Sequence, residues 1–263
     1  MKIYRSIGEV SPPPNGVVLT MGTFDGVHLG HAHILARVAE EAERTGAVKA
    51  AMTFEPHPLT MLNPKKAPSR LSLPEEKLDL LGKFDLDFIL VLEFNEKLLN
   101  TEAEDFTRGV ISEQLRATRL IVGYDTRFGR GGRGDVAFLK EAGPQMGFEA
   151  EIVAPVMFGD KVISSTAIRN ALAEGDIETA SGMLGRPYRV SGKVVEGLHL
   201  GRKLGMPTAN LDVDPAKQLP AFGVHAARAT VRGETYKAVL NAGFRPTIPQ
   251  EEPRLCFEVH IPG

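Results

Sequence analysis

The sequence has one cysteine, Cys256, and no tryptophan. A lone cysteine excludes an internal disulfide, and no CxxC pair or Cys/His cluster of zinc-ligand spacing accompanies it. A reducing, cytoplasmic setting is the expectation. Charge of one sign is also lacking: 31 Lys and Arg stand against 33 Asp and Glu, a net charge of -2. That balance gives no bulk attraction to nucleic acid or to an anionic membrane, so small-molecule partners are expected, held where needed by a local basic pocket. No apolar run reaches membrane-spanning length, and the opening MKIYRSIGEVSPPPNG has no signal-peptide core. Repeats and low-complexity tracts are missing as well. The sequence leaves a homo-oligomer open.

What is present is an ordinary globular composition, 43% hydrophobic and 24% charged over 263 residues. That length suits two domains. Residues 1–185 alternate short apolar runs (GVVLTMGTF, AVKAAMTF, DFILVLEF, RLIVGY, FEAEIVA) with amphipathic stretches. This predicts an α/β domain with a Rossmann-like parallel sheet of five strands. Thr101 and Glu104 have capping-box spacing ahead of one predicted helix, and Asp135 is placed to cap another. The Pro-rich 56–74 and the Gly- and Arg-rich 127–134 read as loops. After Gly185 and Pro187 the pieces become short, β-rich and punctuated by turn residues. They predict a small antiparallel β-barrel over 186–263.

In GTFDGVHLGHAHIL, residues 22–35, a strand runs through an Asp25–Gly26 turn into a helix. Free N–H groups and the positive helix end then face the carboxyl edge of the sheet, where α/β folds bind anions. His28 and His31, three apart, can turn both rings to one phosphate, and Gly30 leaves space between them. Phosphoryl chemistry needs positioned donors more than covalent help. By residue type alone His28, His31 and His33 read as surface or capping histidines, and their placement after a strand and glycine turn is what favours phosphate; a zinc site is the weaker alternative without HExxH or a cysteine. Further on, Ser164, Ser165 and Thr166 precede a helix carrying Arg169. They can cap it, or join the arginine fork on phosphate oxygens. In LGRKLGMPTANLDV, Gly201 and Gly205 allow close wrapping of a ligand. Thr208 and Asn210 alternate onto one face of an extended piece and could address a hard cation, or could belong to a plain turn. Glu258 in FEVHI is open to reading as an outward strand residue.

GTFDGVHLGH with ISSTAIR resembles the HxGH nucleotidyltransferase superfamily. TFEPHP and VGYDTRFGRGGRGDV narrow the resemblance to the prokaryotic bifunctional riboflavin kinase and FAD synthetase (FMN adenylyltransferase) family. The resemblance implies that Gly22, Phe24, Asp25 and Gly30 serve the ATP side with catalytic His28 and His31, under a cover formed by Ser164, Ser165, Thr166 and Arg169. It implies that Asp125, Arg127 and Phe128 shape the flavin side, with Thr126 standing where the family usually has an aromatic. The later segment resembles the family's GxxLGxPTAN signature, which implies Mg²⁺ at Thr208 and Asn210 and a catalytic base at Glu258. NAGFRPT, 241–247, also resembles the family; Arg245 receives no role. Substrates would be ATP, riboflavin and FMN, and FAD a product. An adenylylation-only enzyme or a non-catalytic flavin or nucleotide sensor stays open. Because the family continues through another hairpin and a helix, whereas this sequence stops at Ile261, Pro262 and Gly263, the kinase domain is expected to be truncated and its sheet edge exposed.

Overall fold

The computed structural model describes residues 1–11, 13–196, 207–244 and 255–262. The chain divides into two units, Met1–Ser165 with Met183–Gly185, and Thr166–Gly182 with Arg186–Gly263.

In the first unit, strands β1 (Lys2–Tyr4), β2 (Val17–Met21), β3 (Val48–Glu55), β4 (Phe88–Glu93), β5 (Ala117–Gly123) and β6 (Glu149–Val153) form one sheet in the order β1-β4-β3-β2-β5-β6. Every pairing in it is parallel. Parallel sheets are covered on both faces, so their strands read as unbroken apolar runs. All five residues of β2 are buried accordingly. Val17, Leu19 and Met21 point into one core with Leu90, Leu120 and Val122. Val18 enters the opposite core with Ile89, Ile121 and Leu35, Val38 and Ala42 of helix α1 (Leu29–Thr45). The helical spacing of Leu35, Val38 and Ala42 supplies that apolar stripe. Gly46, at φ 69°, ends the helix in the left-handed conformation glycine tolerates.

The chain builds outward from β2 through β3 to β4, then returns to place β5 on the other side of β2. The order reverses between β2 and β5. Ligands of open α/β sheets bind beyond the carboxyl ends of the strands at such a switch point.

The structure departs from the sequence reading in several places. The sheet has six strands, because β1 pairs with β4; at three residues it is too short to announce itself by alternation. A two-stranded hairpin, β7 (Met157–Phe158) with β8 (Lys161–Val162), lies outside the main sheet. The 56–74 segment carries a short helix, Pro58–Leu62, and leads into another at Pro74. The Thr101–Glu104 capping box does not form. Thr101 Oγ1 donates back to Lys97 O, and Glu104 pairs with Arg108. Asp135 does cap its helix, accepting from Phe138 N at 2.9 Å.

The second unit holds an antiparallel sheet, β9 (Gly192–Val195), β10 (Thr208–Val213), β11 (Gly223–Val231), β12 (Glu234–Phe244) and β13 (Leu255–His260), in the order β11-β12-β13-β10-β9. Ala238, Ala242 and Phe257 are buried on one face, while Val224, Val239 and Asn241 are exposed on the other. Among the described residues no helix is long and apolar enough to cross a membrane.

Candidate functional site

The first candidate site begins where β2 ends. Gly22 N still donates to Met52 O at 3.0 Å, holding the chain against β3 before it turns. Phe24 then takes φ 49° and buries its ring, whose edge meets the His31 ring at a centroid distance of 5.1 Å. Phe24 is therefore a wall behind His31.

The turn is fixed by partners distant in sequence. The buried Asp25 carboxylate accepts from Leu71 N at 3.1 Å and Ser72 N at 3.0 Å. Gly26 N donates to Ser72 Oγ at 2.9 Å, and Ser165 Oγ donates to Asp25 O at 2.9 Å. Gly26 sits at φ 80°, and a Cβ there would come within 2.9 Å of Leu71 Cδ1. Only glycine fits both conditions. Asp25, expected on the ATP side, thus has its carboxylate turned inward to the backbone of 71–72.

His28 is the N-cap of α1; its Nδ1 accepts from His31 N at 3.3 Å. Accepting at Nδ1 requires a lone pair there, so the neutral ring carries its proton on Nε2. The His28 and His31 rings stack 3.7 Å apart with 15° between planes. A Cβ on Gly30 would stand 3.1 Å from His28 Cε1 and Nδ1, which explains glycine between the two histidines. His28 is buried and His31 half-buried, whereas His33 is exposed. The structure brings His28, Gly30, His31, Phe24, Asp25 and Ser165 into one neighbourhood. Ser164 immediately precedes the helix Ser165–Glu174; Thr166 and the half-buried Arg169 lie on its first turns, in the second unit.

Across the switch point, β5 delivers its loop at the same sheet edge. Thr126 N closes a turn onto Gly123 O at 3.2 Å, leaving Asp125 and Arg127 exposed. Phe128 behaves differently. Its ring packs between Phe106 and Phe138, at 5.8 and 6.1 Å, on the edge of the sheet core. The loop 127–134 is closed by paired backbone hydrogen bonds between Phe128 and Gly134, both 2.9 Å.

Sequence reasoning missed a polar cluster beside the turn. Lys77 Nζ meets Glu55 Oε1 at 2.7 Å, Thr53 Oγ1 at 3.1 Å and Phe54 O at 3.2 Å, and Arg70 Nη1 meets Glu55 Oε2 at 2.8 Å. Burial pushes the Lys77 ammonium below its ordinary pKa, and the Glu55 hydrogen bond opposes that shift. The available signal was RLSLPEE, a hydroxyl two residues before a proline that opens a helix, with Glu76 accepting from Leu73 N at 3.0 Å.

The second candidate site is read from strand register. Asn210 on β10 lies opposite Glu258 on β13, and Glu258 lies opposite Asn241 on β12. Directly opposed residues share a sheet face, so Asn210, Glu258 and Asn241 form one row. Thr208 is opposite His260 in the next row, and His260 Nδ1 is 2.8 Å from Pro207 O. Asn210 is buried and Glu258 half-buried. Thr208, Asn210 and Glu258 thus present oxygen donors on one face, the chemistry a hard cation takes. Gly201, Gly205 and Arg245 lie outside the described residues. Among the described residues no group of three or more His, Cys, Asp or Glu side chains could hold a metal ion.

Comparison with known proteins decides the family. The FAD synthetase family matches residues 11–167 and the riboflavin kinase family residues 184–263. A Pseudomonas fluorescens bifunctional riboflavin kinase/FMN adenylyltransferase is 37% identical over 99% of this chain and 83% of its own length. The Escherichia coli K12 protein of the same description is 39% identical over 99% of this chain and 83% of its own. The chain belongs to the bifunctional riboflavin kinase/FMN adenylyltransferase family. A solved Streptococcus pneumoniae structure, named a macrolide-efflux protein, shares the fold with a TM-score of 0.86 at 27% identity, over 98% of this chain and 83% of that one. Within the bifunctional riboflavin kinase/FMN adenylyltransferase family, His28, His31 and Ser165 of this chain fall inside the FAD synthetase match, and Thr208, Asn210 and Glu258 inside the riboflavin kinase match.

Proposed function

We propose that this enzyme makes FMN from riboflavin and ATP, and then FAD from FMN and ATP. The observation that carries the adenylyl reading is the stacked His28–His31 pair at the start of α1, set beyond the carboxyl end of β2 at the switch point. There the His28 Nε2–H and the His31 ring donate to ATP phosphate oxygens. An FMN phosphate oxygen attacks the α-phosphorus in line, the bond to the bridging oxygen breaks, and pyrophosphate leaves. Donors fixed before the reaction stabilise the charge that gathers on those oxygens. Gly22 and Gly30 give the nucleotide close approach, and Phe24 and Asp25 act from behind by fixing the turn. Ser164 adds a hydroxyl to the phosphate side, with Ser165 holding the turn; Asp125 and Arg127 face the flavin, and Phe128 stiffens their loop.

At the second site Glu258 takes the proton of the riboflavin 5′-hydroxyl as that oxygen attacks the γ-phosphorus of ATP and ADP leaves. Thr208 and Asn210 would hold Mg²⁺, which supplies charge neutralisation for the phosphates when bound. The protein works in the cytoplasm, a reading supported by its single cysteine.

The test is to incubate purified protein with Mg²⁺ and ATP, plus riboflavin or FMN, and separate the flavins by chromatography. Riboflavin should give FMN and FAD, and FMN should give FAD. FAD from FMN without any FMN from riboflavin would sink the bifunctional reading, and no product from either would leave only a binding protein.

A further inference from the structure

The Asp25–Gly26 peptide is held at both of its polar ends. Its carbonyl accepts from Ser165 Oγ, and its N–H donates to Ser72 Oγ, each at 2.9 Å. Ser165 belongs to a motif already expected near phosphate; Ser72 does not. Yet Ser72 makes three contacts with the turn: its hydroxyl accepts from Gly26 N, donates to Asp25 Oδ1 at 3.4 Å, and its own N–H donates to the same carboxylate oxygen at 3.0 Å. Two residues beyond Gly26 the chain reaches His28.

Ser72 is itself held from both directions. Upstream, Arg70 is tied to Glu55, which the buried Lys77 ties to the end of β3. Downstream, Leu73 N donates to Glu76 as the helix Pro74–Leu81 begins, and Lys77 N returns to Leu73 O at 2.8 Å. A surface loop would not need an ion pair on one side and a helix start on the other. We propose that Ser72 is a positioning residue for adenylyl transfer: it fixes the Asp25–Gly26 peptide, and through it the place at which α1 and its two histidines start. The inference rests on the reading of His28 and His31 as the adenylyl site.

A misplacement near 1 Å can cost roughly 10²-fold in rate while substrate still binds. Ser72→Ala removes an acceptor of a buried N–H and with it a tie that holds the Asp25–Gly26 peptide in place. In the full-length protein, with Mg²⁺, ATP and FMN and well below the melting midpoint, Ser72→Ala should lower the kcat of FAD formation by roughly tenfold or more. KM for FMN should stay within about threefold. Riboflavin phosphorylation in the same preparation should be unchanged, and hydrogen exchange at the Gly26 amide should accelerate. A kcat within twofold of wild type, an unchanged Gly26 exchange rate, or a parallel loss of both activities each overturns the inference. His31→Ala separates the two levels. If that variant still makes FAD, the adenylyl-site reading fails by itself; if it is dead while Ser72→Ala is normal, only the role of Ser72 falls.

Discussion

Gly30→Ala should leave the protein as stable as before and still stop it making FAD at a normal rate. Alanine at the second position of α1 removes a glycine penalty of about 0.5–1 kcal/mol. Against that, the new methyl would stand 3.1 Å from two atoms of the His28 ring, so the ring must give way by a few tenths of an ångström. Moving it weakens the cap from His28 Nδ1 to His31 N, and a lost cap costs about 1 kcal/mol. The two terms nearly cancel, so the melting midpoint should move by no more than a few degrees. Catalysis has no such offset. The displaced ring lies 3.7 Å from His31, so a shift in one moves the other. Loss of alignment of both donors should lower kcat for FMN adenylylation by roughly 10- to 100-fold. Chromatographic initial rates of FAD formation, beside a thermal melt, measure both quantities. A variant with a normal rate refutes the account of Gly30, and so does one whose rate falls only because it unfolds.

His31→Ala should abolish FAD formation while riboflavin phosphorylation continues, as two product assays on one sample will tell; retained adenylylation counts against the helix-start reading. Glu258→Gln should do the opposite, with calorimetric ATP binding largely kept, and a normal kinase rate would return Glu258 to a plain strand residue. Lys77→Met tests the buried ammonium through pH. Because the folded pKa of Lys77 is lowered from 10.5, the unfolded chain binds more protons between the lowered value and 10.5, and stability should rise with pH across that window. The substitution should remove that rise, and superimposable denaturation-versus-pH slopes for the two proteins would contradict the assignment.

The central strands were legible because parallel strands buried on both faces leave continuous apolar runs, as in Val17–Met21 and Phe88–Glu93. The helix start at His28 was legible because a strand, a glycine turn and two polar rings three apart make a local pattern. What failed to show was set by distance in the chain. Ser72 meets Gly26 across 46 residues and does not stand out from its neighbours; Ser165 did stand out, but its bond to Asp25 across 140 residues did not. Phe128 illustrates another limit. Its position in the loop was readable, but the direction of its ring depends on Phe106 and Phe138, which come from other elements. The expected cap at Thr101 lost to a local competitor, since its hydroxyl reaches the preceding helix's last turn first.

The pairing of β2 with β5 has a consequence for redesign. Leu19 and Leu120 are register partners, so the two rims of the crevice leave the sheet at matched height although they come from remote parts of the chain. Lengthening either strand by one residue would turn its side chains to the wrong core and tilt one rim. The rims differ in which remote segments hold them. The one after β2 is tied to segments around residues 72 and 165, and transplanting it alone would leave those ties behind. The one after β5 is closed by Phe128 and Gly134 and is also tied outward, with Arg130 N donating to Thr101 O at 2.8 Å and the Arg130 side chain meeting Glu102 at 3.3 Å. It travels only with the 101–102 segment and with the Phe106 and Phe138 rings that hold Phe128, so either rim must be moved together with its remote partners.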